Sequence, residues 1–94
     1  MYVKVVQFTS TSKMQKDMLG AYLKNIWFPQ LIELGALSCR YVSMEGTRSM
    51  MINMFPDEKT GDSVQVGREE QRQELVQQHK FTVFKGYSEL FLEK

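Results

Sequence analysis

The chain has 94 residues, of which 43% are hydrophobic, including six Phe, four Tyr and one Trp. Twelve Lys and Arg stand against eleven Asp and Glu with no basic stripe, which leaves no footprint for nucleic acid. The single cysteine, Cys39, excludes an internal disulfide and any Cys-rich metal site.

The length fits one domain spanning 1–94, and a domain this short does not easily hide so much apolar material. Self-association is therefore expected. No run nears the roughly 18 apolar residues of a membrane span. The opening MYVKVVQF has neither the charged nor the apolar region of a signal peptide, so a cytoplasmic location is expected.

Residues 2–9, YVKVVQFT, are β-branched and aromatic and predict a first strand. Val3, Val5 and Gln7 share one face, and Tyr2, Lys4, Val6 and Phe8 the other, so both faces carry apolar groups. A first helix follows. Ser12 with Gln15 fits a capping box, and Met14, Met18, Ala21, Tyr22 and Ile26 recur at helical spacing as its expected apolar stripe. Gly20 weakens it by about 1 kcal/mol relative to Ala, and leaves room for another element to approach. Pro29 predicts a bend or break near Phe28, with a short helix restarting in PQLIELG and ending at a left-handed Gly35.

Residues 36–44 and 49–55 predict the second and third strands, joined by the turn EGTR as a hairpin. A polar loop is expected over 56–62. A second helix is expected over 63–79, capped by Asp62 or Ser63, with Val64, Leu75 and Val76 as its few apolar positions. Residues 80–92 predict a fourth strand, bent or bulged at Gly86. The order β-α-β-β-α-β predicts an α+β, ferredoxin-like fold: a four-stranded antiparallel sheet with two helices on one face. The other face then needs a cover, which the polar second helix cannot supply.

The opening strand, the helix ending in the proline-to-glycine spacing of Pro29 and Gly35, the strand GALSCRYV and the segment INMFPDEKT resemble the antibiotic biosynthesis monooxygenase-like family. That family lies within the dimeric α+β barrel superfamily. The resemblance implies a homodimer in which two sheets pack face to face as a barrel. The helix bend at Pro29 would follow the curved sheet. It also implies a function class: monooxygenases that oxidise quinol or anthrone-type aromatics with O₂ and no cofactor. The alternative is a non-catalytic dimer of the same superfamily, structural or binding a small apolar or aromatic ligand. Haem handling is a third reading. Haem-degrading members carry an amide on the first strand, where Gln7 falls, but Met54 and Phe55 stand where they have a tryptophan, and His79 comes only at the end of the expected second helix.

His79 and Gln7 are the candidate catalytic residues. His79 is the only side chain that ordinarily titrates near neutrality, and could serve as a general base or simply answer a helix dipole. Gln7, an amide among apolar neighbours, needs partners or a ligand; it could hold a developing anion or bond across the sheet. Met50, Met54 and Trp27 are candidate ligand contacts, the methionines because they adapt to irregular shapes, although core filling is the plainer role. Cys39 has no base beside it in sequence and reads as a buried thiol. No metal-ligand spacing, phosphate loop or Ser/His/Asp set appears, and no cofactor is expected.

Overall fold

The computed structural model describes residues 1–66 and 79–93. Strand β1 (Tyr2–Ser10) leads into α1 (Lys13–Tyr22), a π-helical turn (Leu23–Trp27) and α2 (Phe28–Glu33). Strands β2 (Ser38–Ser43) and β3 (Arg48–Phe55), helix α3 (Glu58–Val66) and strand β4 (His79–Tyr87) complete the order. The sheet runs β2-β3-β1-β4, every neighbouring pair antiparallel. This is the ferredoxin-like arrangement that the sequence predicts.

The two faces of β1 are sorted by residue parity. Tyr2, Lys4, Val6, Phe8 and Ser10 are buried towards the helices, while Gln7 and Thr9 are exposed. The registers carry the same division across the sheet. Lys4 faces Asn53 and Val6 faces Met51 on β3, and Phe8 faces Phe81 on β4. On the opposite face, Val42, Met50, Gln7 and Thr82 form one row, and Arg40, Ile52, Val5 and Phe84 the next.

Helix α1 begins as expected: the Ser12 hydroxyl accepts the backbone N–H of Gln15 at 3.1 Å. Its expected apolar stripe is not the buried one. Met14, Met18 and Ile26 are exposed, and Leu19, Leu23, Trp27 and Leu31 face the sheet instead. Gly20 selects that face. A Cβ there would stand 3.2 Å from the Tyr41 ring, so the helix meets β2 along its glycine side.

The buried positions recur every four residues. A four-residue step overshoots a 3.6-residue turn by about 40°, so such a series drifts around a regular helix. The wider π turn takes back part of that drift. It ends two residues before Pro29, which has no N–H to give to the carbonyl four residues earlier. Phe28 N–H bonds Leu23 O, five residues back, and the helix continues through the proline as α2. The expected break at Phe28 is therefore a change of winding. The expected glycine stop is present: Gly35 has φ +114°, with Gly35 N–H on Ile32 O and Ala36 N–H on Leu31 O.

Three expectations fail after β3. The segment 56–62 is not a loop, since α3 begins at Glu58, and its cap is Asp57, whose carboxylate accepts Thr60 N–H at 2.8 Å. Thr60 and Gly61, poor helix formers, mask this start in the sequence. His79 is the first residue of β4 rather than the end of a helix. Residues 67–78 of the expected second helix, Leu75 and Val76 among them, lie outside the described residues. Strand β4 carries no bulge at Gly86, because its ladder with β1 stays in register from His79 to Tyr87.

Candidate functional site

Between the sheet and the helices lies a cavity of about 70 Å³. Its floor is the inner face of β1, β3 and β4: Val6 and Phe8, Met51 and Phe55, Phe81 and Val83. Leu23 and Trp27 of the π turn, Leu31 of α2, and Gly61 and Val64 of α3 close the walls. A water needs about 10–15 Å³ of such volume, so the space holds more than one; an apolar cavity of about 150 Å³ takes benzene. An aromatic ring therefore enters only with some adjustment, and Met51 is the flexible side chain in the floor.

Two polar side chains interrupt this apolar lining, Lys4 and Asn53. They are direct register partners on neighbouring strands, and such pairs bring their Cβ atoms to about 4.5–5.5 Å. Lys4 is 6% exposed and Asn53 4%. Lys4 Nζ donates to Gly61 O at 2.7 Å, lies 3.6 Å from Asp62 Oδ1 and stands 5.9 Å from the centre of the Phe55 ring. A buried ammonium needs such compensation. Asn53 Oδ1 is buried with no hydrogen-bond partner, an unusual state for a buried acceptor.

The Asp62 carboxylate extends this polar end to the surface. It accepts Tyr2 OH at 3.4 Å and lies 3.8 Å from Lys85 Nζ. Burial, then the nearby Asp62 and Glu58 charges, push the Tyr2 phenol above its ordinary pKa. Gly61 makes the close packing possible: a Cβ there would stand 2.8 and 2.9 Å from Tyr2 ring carbons and 3.2 Å from Phe55.

The expected catalytic residues are not brought together. Gln7 is exposed on the outer face of β1, between Met50 and Thr82. His79 lies on the inner face at the far end of β1, where its Nδ1 meets Ser10 Oγ at 2.8 Å and its ring packs edge-on to Phe8. Burial lowers its pKa. It is not among the residues lining the cavity. Of the expected ligand contacts, Trp27 lines the cavity, whereas Met50 and Met54 point to the outer face. Cys39 is half-buried, and burial pushes its thiol up to about 11, which suits a packing role. Among the described residues no three His, Cys, Asp or Glu side chains gather as a metal-ligand set, and no helix is long and apolar enough to cross a membrane.

Sequence reasoning passed over Lys4 and Asn53. The signal was present for Lys4: a lone charge on the same strand face as Tyr2, Val6 and Phe8 must be buried with them. Asn53 likewise shares a parity with Met51 and Phe55.

No family model matches the chain, and no curated protein does. Solved structures do. Two dimeric ferredoxin-like proteins from an uncultured marine organism are each 12% identical to it, with TM-scores of 0.82 and 0.78, covering 97% and 100% of both chains. A monooxygenase from the gene ActVA-Orf6 of Streptomyces coelicolor, solved with the ligand nanaomycin D, is 17% identical with a TM-score of 0.71, over 98% of this chain and 92% of that one. The chain has the fold of these proteins. The likeness runs the length of the described sheet and helices, and the family resemblance seen in the sequence agrees with it at the level of the fold.

Proposed function

We propose that the protein is a homodimer of the α+β barrel kind, in which each protomer binds a small aromatic compound between sheet and helices and oxidises it with O₂ and no cofactor. One observation carries the reading: an apolar cavity that holds a buried ammonium and a buried amide at one end. An oxygenase of this kind must keep an electron-rich phenolate away from water. In a low-dielectric site a fixed cation favours that anion strongly. Lys4 is placed to do so, held by Gly61 O and Asp62.

The outer sheet face supports the dimer. Val42 and Phe84 are exposed there beside Val3, Val5, Met50, Ile52 and Met54, and Leu90, Phe91 and Leu92 beyond β4 are exposed as well. The superfamily's face-to-face sheets would cover the first group. Expected in light scattering is twice the protomer mass.

Oxygen uptake with hydroquinones and anthrone-like compounds tests the chemistry. Wild type should exceed the uncatalysed rate, and Lys4→Met should lose most of the gain, because removing one electrostatic stabiliser costs about 10²–10³ in rate. Loss in His79→Gln with Lys4→Met still active would return the central role to the histidine. The second reading, a non-catalytic ligand-binding dimer, is favoured by the small cavity and by the separation of Gln7 from His79. Wild type with no uptake above background would leave that reading in place.

A further inference from the structure

We propose that the cavity takes its ligand through a single hydroxyl group, which donates to Asn53 Oδ1 and accepts from the Lys4 ammonium. The proposal rests on the reading that this cavity is the binding site. It adds which functional group the site selects and which two residues select it.

The argument starts from Asn53. A buried carbonyl oxygen without a donor is a cost that folding does not recover. Asn53 lines the cavity, is 4% exposed, and has no donor for Oδ1. A ligand that fills the cavity can supply one. Directly across the ladder, Lys4 lines the same space. An ammonium is a donor only. A polar group that satisfies both residues must therefore give one hydrogen and accept another, with its oxygen between two adjacent strands.

A hydroxyl does this. A carboxylate has no hydrogen to give Oδ1, and an ether or methyl group has none either. The remaining walls, Val6, Phe8, Leu23 and Trp27, ask for an apolar body. A phenol is favoured over an alkanol, because its hydroxyl is the stronger donor to Oδ1 and its ring suits the apolar walls.

Trp27 is the only tryptophan of the chain and lines the cavity, so its fluorescence reports occupancy directly. Phenol, toluene and benzoate would be titrated against the wild-type protein. Phenol should bind about tenfold tighter than toluene, the worth of one hydrogen bond to a charged group, and benzoate should bind more weakly than phenol. In absorbance, 4-nitrophenol should ionise at lower pH when bound to Asn53→Leu than when bound to wild type, because Oδ1 holds its hydrogen, and at higher pH when bound to Lys4→Met. Asn53→Leu should narrow the gap between phenol and toluene to the part that Lys4 supplies, while melting no lower than wild type, since it removes an unpartnered acceptor. Equal binding of phenol and toluene to wild type, or tighter binding of benzoate, overturns the proposal and leaves the cavity as an apolar binding site. No response to any probe overturns the cavity reading together with it. The wild-type series decides the matter even if a variant fails to fold.

Discussion

At Gly61 a single hydrogen in place of a methyl lets α3 rest on the aromatic edge of the sheet. The same residue offers its carbonyl to Lys4, so packing and charge placement meet at one backbone position. Gly61→Ala should lower stability by roughly 1–3 kcal/mol in urea denaturation, as overpacking does elsewhere, although alanine is the better helix former. An unchanged or raised midpoint would show that Tyr2 and Phe55 can move aside. His79 gives a second test. Its folded pKa lies below the ordinary 6.5 because burial disfavours the charged ring. The unfolded chain then binds more protons between the two values. Stability should be full above about pH 6.5 and fall as the pH drops from there towards the folded pKa. His79→Gln should flatten that part of the profile, measured by denaturation at pH 7.5 and 5. The imidazole was legible in the sequence as the chain's one near-neutral group. Its partner Ser10 was not, because the two are 69 residues apart and meet only through the β1–β4 ladder.

The first helical stretch shows how far element-level reading goes. The cap at Ser12, the disturbance at Pro29 and the stop at Gly35 were all legible, since each depends on a few adjacent residues. Which side of the helix is buried was not. The sequence holds two apolar stripes, and the choice between them depends on where Gly20 meets Tyr41, a contact made after the chain has turned back. Pro29→Ala should restore the missing backbone bond and relax the π turn towards regular winding. Leu31 would then rotate out of line with Leu19, Leu23 and Trp27. The expected result is a net loss of roughly 1–2 kcal/mol in urea denaturation, within the ordinary range for point mutants. A gain would show that packing alone sets the winding. Helix α3 began earlier than its sequence suggests, because a capping aspartate outweighed two weak helix formers within the first turn.

For the molecule as a whole, the order of elements and the sorting of β1 into two faces followed from periodicity alone. The placement of the candidate site did not. Gln7 and His79 looked like a pair because both are polar groups among apolar ones, but one residue lies at an odd and the other at an even position of the β1 ladder. If the outer face is covered by a second copy, the melting temperature should rise with protein concentration. A lysine at the middle of that face, Ile52→Lys, should yield a protomer of lower melting temperature with no such dependence. Equal melting temperatures at all concentrations for wild type would count against the covered face.

Strand β1 acts as a partition wall with different furniture on its two sides. Side chains alternate along it, so sliding it by one residue against β3 would carry Lys4 through to the outer side and bring Val3 or Val5 into the cavity. A single-residue insertion or deletion within 3–8 would therefore exchange the contents of the two compartments. A change of two residues would keep each set on its own side. Length variation in this strand should be tolerated, where it is tolerated at all, in steps of two.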